Sequence, residues 1–178
     1  MHTQHVVAGA PRGVTRTWVP SLLRDPRARV SRFLLQMPLY LYRLQLGWLL
    51  GHEFLVLTHV GRHTGRIHQT VLKVLRYDSS TRESIVASAW GERSDWYQNI
   101  QAHPAVAVST GGDQFIPRQR VVPPDEAFEV FRDWVHRERW FARLMLGQIG
   151  RCIDVPEPEL RAVVLGFPFI GLSPAIRR

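Results

Sequence analysis

Glu53-Phe54-Leu55-Val56-Leu57-Thr58-His59-Val60, Gly61-Arg62-His63-Thr64-Gly65-Arg66, Ile67-His68-Gln69-Thr70-Val71-Leu72-Lys73-Val74-Leu75-Arg76-Tyr77: two runs rich in Leu and Val flank a basic segment bracketed by glycines. Eight to eleven residues of this composition between turn signals predict strands, and the 61–65 segment reverses the first into the second. Glycines there permit backbone angles other residues resist. Successive amides are then expected to converge on an anion, with Arg62 and Arg66 supplying charge and Thr64 a hydroxyl. His68, Gln69 and Lys73 follow on the outgoing strand, where residues of like parity share a face, so Arg66 and His68 are expected on one side. A hairpin with solvated arginines is the competing reading.

The pattern extends outward in both directions. Residues 78–83 form a turn and 84–89 a further short strand. Ser94 is placed to cap a helix that starts at Asp95, runs through Trp96 and Ile100, and stops at Pro104. Residues 105–109 alternate with period two, and Thr110-Gly111-Gly112-Asp113 makes a hairpin into 114–122, where Pro117 marks an edge or bulge. A helix opens at Pro124-Asp125-Glu126 with Phe128, Phe131, Trp134 and Val135 inward and Arg132, Arg137 and Arg139 outward. Helical stretches over 140–146 and 158–165 and a strand over 167–172 complete the order. With so few helices between strands, a doubly wound parallel sheet is excluded, and an α+β, mainly β, closed or half-closed antiparallel barrel is expected.

Upstream lies an N-terminal helical extension. Residues 1–26 lack a period, whereas Phe33, Leu34, Met37, Leu41, Leu44 and Trp48 recur at helical spacing between arginines, with Pro38 as a kink. Residues 1–50 are therefore expected as tail and amphipathic helix, and 51–178 as the barrel domain. The stretch is too polar and short for a membrane span. Packing on the barrel, on a second subunit as in a homodimer, or peripheral contact of residues 27–50 with an acidic membrane surface are its open roles.

The 178 residues carry a formal charge of +8, almost wholly as arginine, Lys73 being the sole lysine. That field favours anionic partners without choosing among nucleic acid, lipid and a phosphorylated cofactor. No recognition helix or aromatic-basic sheet signature is present, so no specific nucleic-acid partner is expected. Cys152, the single cysteine, excludes an intrachain disulfide and a thiolate metal cluster and is expected to be buried. The chain shows no secretory signal, which points to the cytoplasm. His59, His63 and His68 straddle the hairpin without carboxylate or thiolate companions, so no metal site is expected. Neither a P-loop nor a Gly-x-Ser-x-Gly elbow occurs.

The second cluster is Ala87-Ser88-Ala89-Trp90-Gly91 with Ser94-Asp95-Trp96-Tyr97-Gln98-Asn99. Small residues at a strand end admit a planar ring, Gly91 leaves room for a chain, Trp96 reads as core, Tyr97 as stacking surface, and Asn99 as either a loop tie or a ligand contact. Together the clusters describe a site for a ligand with a flat head and an acidic tail.

The stretch 57–66, with Val86-Ala87-Ser88-Ala89-Trp90-Gly91, Asp95-Trp96-Tyr97-Gln98-Asn99-Ile100 and His103-Pro104-Ala105-Val106, resembles the deazaflavin-dependent nitroreductase family over about residues 50–122. The resemblance implies a split β-barrel of the FMN-binding type using coenzyme F420. It implies hydride transfer from reduced deazaflavin to a small electron-poor acceptor, a quinone, nitro or enone compound. By motif position, Arg62, His63, Thr64, Gly65 and His68 lie around the coenzyme's phosphate and tail, and Val71 stands where the family has a proline beside the ring. Ser88, Ala89, Trp90 and Gly91 lie along the deazaflavin, and Trp96, Tyr97 and Asn99 on the helix that orders it. His63 and His68 replace basic Lys and Arg, a loss for which Arg66 and Lys73 are candidates to compensate. Trp140 and Phe141 stand where relatives carry tyrosines, and are the acceptor-side candidates. A non-catalytic barrel, or one loaded with FMN or haem, is the alternative.

Overall fold

The computed structural model describes residues 51–148, 150 and 154–175. The tail, the helical stretch and membrane-contact segment within 1–50, and Cys152, lie outside the described residues. Strands β1 (Phe54–Val60), β2 (Ile67–Asp78) and β3 (Glu83–Ala87) lead through a short 3₁₀ turn, Gly91–Arg93, into α1 (Asp95–Ala102). Strands β4 (Ala107–Thr110), β5 (Asp113–Phe115) and β6 (Pro117–Val121) follow, then α2 (Pro124–Arg137), α3 (Arg139–Gln148), α4 (Glu157–Leu165) and β7 (Phe169–Pro174).

Every strand pairing is antiparallel, in the order β5-β4-β1-β2-β3-β7-β6. The sheet curls into a nearly closed split barrel with peripheral helices, as the sequence predicts. Where β6 meets α1 and β4, Gln119 bridges the opening: its Nε2 donates to the Ile100 carbonyl at 3.0 Å and its Oε1 accepts from Ala105 N at 3.3 Å. Pro117 does break the expected 114–122 strand, leaving β6 at a sheet edge, and Gly111 and Gly112 adopt φ of +55° and +89° in the hairpin before β5.

Two apolar clusters sit on opposite faces of the sheet. Leu55, Leu57, Leu72, Val74, Val86, Val108, Ile170 and Leu172 fill the barrel with Trp96 and Ile100 from α1. Leu75, Ile85 and Phe169 turn outward against Phe128, Phe131 and Trp134 of α2, Ala142 and Leu146 of α3 and Leu160 and Val164 of α4. β2 serves both clusters because its side chains alternate, Leu72 and Val74 facing one and Leu75 the other, and a bulge between Val74 and Arg76 shifts its register against β3.

Two expectations need correction. Arg137 does not simply point to solvent: its Nη2 donates to the Leu75 carbonyl at 2.8 Å, which the bulge frees from strand pairing. Ser94 occupies the position before α1, but its hydroxyl makes no cap bond; it donates to the Ser88 hydroxyl instead, whose own hydrogen goes to the Gly91 carbonyl.

Candidate cofactor site

The 61–66 turn closes on itself. Gly65 N and Thr64 N both donate to the Gly61 carbonyl, at 2.8 and 3.2 Å, Gly61 N donates to Arg66 O at 2.8 Å, and Arg66 N to Thr64 Oγ1 at 3.3 Å. Arg62 N donates to Asn99 Oδ1 at 3.0 Å. The expected convergence of free amides on an anion is therefore not what the turn presents, because an i→i+4 reversal satisfies its own donors. What remains for an anion is side-chain chemistry: the exposed His63 and His68 rings and the Thr64 hydroxyl hydrogen.

Behind the turn, Asn99 organises a buried polar network. Its Oδ1 also accepts from Arg62 Nη1 at 3.0 Å, so its Nδ2 is left to donate to His59 Nδ1 at 3.1 Å. His59 Nε2–H then donates to Thr70 Oγ1 at 3.1 Å, which fixes the neutral tautomer. Burial holds the His59 imidazole below the usual histidine range; the nearby His68 acts in the same direction and Asp95 opposes. The His59 and His68 rings, cross-strand partners, lie 5.9 Å apart at 24°. Asp95 Oδ1 accepts from Arg62 Nη1 at 3.0 Å, one helical turn before Asn99.

These groups line a polar recess of about 320 Å³ bounded by Arg62, His63, Thr64, His68, Asp95 and Trp96. On the other side of Trp96 lies an apolar cavity of about 140 Å³, walled by Val71, Lys73, Ala89, Trp90, Trp134 and Met145 among others. Ala89, Trp90 and Phe167 are shared in turn with an open cleft of about 850 Å³ reaching Gly91 and Tyr97. The three spaces thus form a track of adjoining pockets, the basic recess and the greasy slot lying on either side of one indole, with Trp90, 70% exposed, at the slot's rim.

The structure brings most of the predicted residues to this track and sends others elsewhere. Gly65 and Arg66 are exposed, and neither is among the residues that bound the three spaces. Lys73 is opposite Phe54, at the far end of the β1–β2 hairpin from the turn, and its amine pairs with Glu53 and Glu138, so it does not replace the charge lost at His63 and His68. Ser88 is fully buried, donating to the Gly91 carbonyl at 2.7 Å, and shapes the 88–91 turn instead of facing a ring. Asn99 is a tie. Neither Trp140, 72% exposed, nor Phe141, packed edge-on to Phe54 and Trp134, lines the cavity; Met145 and Leu146, one turn further along α3, do. His59 and Thr70 were missed as site residues. The signal available was register: in a hairpin closed by 61–66, His59 and Thr70 lie on neighbouring strands close to the turn. Among the described residues no metal-binding group of His, Cys, Asp and Glu occurs, and no helix is long and apolar enough to cross a membrane.

The curled antiparallel sheet with its peripheral helices is a split barrel of the flavin- and deazaflavin-binding kind. The family model for the F420H(2)-dependent quinone reductase matches residues 43–143, and the chain belongs to that family: it is an F420H2-dependent oxidoreductase of quinone-like acceptors. Among curated proteins none is significantly similar. Similar solved structures include an F420-H2 dependent reductase, 16% identical over 69% of this chain and 96% of that one, TM-score 0.46. A pyridoxamine 5′-phosphate oxidase-related, FMN-binding protein from Nostoc punctiforme is 16% identical over 86% and 83%, TM-score 0.39. ChuZ of Campylobacter jejuni is 10% identical over 87% and 62%, TM-score 0.42.

Proposed function

We propose that the track binds F420 itself, with its acidic tail in the His63–His68 recess and its deazaflavin against Val71, Ala89 and Trp90, and that the acceptor enters beside Met145 and Trp134. The observation that carries this reading is the shared Trp96 wall. It sets basic side chains and an apolar slot on either side of one indole, as suits a ligand anionic at one end and planar at the other. When bound, the reduced deazaflavin supplies the hydride. The residues of this chain do the rest: Arg62 is held by Asp95 and Asn99 and so fixes the turn, His63, His68 and Thr64 contact the tail, and Trp90 and Trp96 orient the ring.

Titration with F420 and with its tailless chromophore tests the assignment. Replacing His63 and His68 together by Ala is expected to weaken F420 binding by roughly tenfold, about 1.4 kcal/mol, and to leave the tailless chromophore untouched. Equal losses for both ligands contradict the tail assignment. Purification with a chromophore absorbing as FMN, and no uptake of F420, contradicts the cofactor.

A further inference from the structure

The polar recess carries a charge that depends on pH. Its one arginine, Arg62, donates to Asp95 Oδ1 at 3.0 Å, so the two fixed charges that bound the recess cancel. Three histidines are the other titratable groups around it: His59 from β1, His63 from the turn and His68 from β2. Asn99 of α1 adds an amide, and Arg66, just before β2, does not border the space. His59 is locked neutral, since its Nδ1 accepts from Asn99 Nδ2 at 3.1 Å and its Nε2–H is spent on Thr70. A proton on Nδ1 would set two donors against each other in a buried place. His63 and His68 are free to charge. Both are exposed, and among the described residues neither ring has a hydrogen-bond or ion-pair partner. His68 Nε2 and Thr64 Oγ1 converge over Gly61, where a Cβ would lie 2.9 and 2.8 Å from them. With the Arg62–Asp95 pair contributing nothing, protonation of these two imidazoles alone decides whether the recess is neutral or cationic, and histidine is the side chain that makes this change near neutrality.

We propose that the recess takes up protons together with the acidic tail, His63 and His68 charging as the tail settles against them, so that cofactor capture tightens as pH falls; the inference rests on the tail occupying this recess. An anion beside an imidazole favours its charged form, so the complex holds these protons to a higher pH than the free protein does. Binding near neutrality therefore consumes protons, and affinity climbs with acidification until both rings are charged in the free protein as well. Arginines in the same places would hold the tail equally at every pH, because a guanidinium never gives up its proton.

The test uses the full chain, titrated with F420 and with its tailless chromophore at pH 8.0, 7.0 and 6.0. The ratio of the two association constants is expected to rise roughly tenfold in favour of F420 from pH 8.0 to 6.0. Ionisation of the ring is common to both ligands and cancels in that ratio. Calorimetry at pH 7.0 in MOPS and in imidazole, buffers of different ionisation enthalpy, is expected to show more proton uptake with F420 than with the tailless chromophore. Replacing both residues, His63→Gln with His68→Gln, is expected to abolish the rise and the extra uptake. His63→Lys with His68→Lys is expected to bind F420 at pH 8.0 about as tightly as the unaltered protein does at pH 6.0, with no further rise on acidification. A rise that persists in the glutamine variant, or a ratio that stays flat in the unaltered protein, overturns the proton linkage. A flat ratio that still favours F420 leaves the tail in the recess and fails the linkage alone, whereas absence of F420 binding at every pH fails the cofactor reading first and the linkage with it.

Discussion

One oxygen of Asn99 holds Arg62 twice, from the backbone N–H and from Nη1, each at 3.0 Å. A side chain on α1 thereby fixes the β1–β2 turn at the mouth of the site, and the other end of the same amide fixes the His59 tautomer. Asn99→Ala removes three hydrogen bonds and strands the buried His59 Nδ1. The expected loss is about 3 kcal/mol of unfolding free energy, at about 1 kcal/mol per net hydrogen bond. Urea denaturation reads it, with F420 affinity falling alongside because the turn is no longer tethered. An unchanged midpoint contradicts the network.

His59 makes stability depend on pH. Its folded value lies below the ordinary 6.5, so the unfolded chain binds the extra proton first as pH falls. The contribution is fully present above about pH 6.5 and is lost as pH falls through the folded value. Stability is therefore expected to decline on going below neutrality, and His59→Gln is expected to flatten that decline. Chemical denaturation of both proteins at pH 7.5, 6.5 and 5.5 checks the sign; parallel curves contradict it.

The barrel was legible because its signals are local: glycine turns at 61–65 and 111–112, period two in 107–110, and Pro117 where the ladder breaks. The site was legible only in part. Asp95 and Asn99 sit four apart, so their common face of α1 follows from sequence, yet their shared partner Arg62 lies 37 residues before Asn99 and meets it only through packing. Lys73 and His68 share a strand, but five residues of extended chain separate them by more than 15 Å at roughly 3.3 Å per residue, which a motif reading compresses into one cluster. Met145 and Leu146 rather than Trp140 and Phe141 reach the cavity because α3 packs Ala142 and Leu146 against the sheet, a rotation that the first aromatic pair does not reveal.

The two turn glycines are expected to behave differently. A Cβ at Gly61 falls 2.8 Å from Thr64 Oγ1 and 2.9 Å from His68 Nε2, so Gly61→Ala must push aside two side chains assigned to the tail. F420 affinity is expected to drop about tenfold, 1.4 kcal/mol. Gly65 has φ of +66° and open space around its Cβ, so Gly65→Ala costs about 1 kcal/mol of backbone strain and leaves affinity unchanged. Calorimetric titration and thermal melts of the pair separate the effects; equal affinity losses contradict the placement of the tail.

Ala89 offers the complementary test at the ring end. It is half-buried on the wall common to the apolar cavity of about 140 Å³ and the open cleft beyond it. Ala89→Leu adds three carbons to that wall and buries apolar area that the cavity leaves uncovered, each methylene being worth about 0.8 kcal/mol. Thermal stability is expected to hold or rise. Binding of both F420 and its tailless chromophore is expected to fall together, by at least about tenfold, since the obstruction lies under the ring they share. That pattern, equal loss for the two ligands, is the reverse of the one expected from the histidines. If instead the leucine spares the tailless chromophore, the ring does not lie against Ala89.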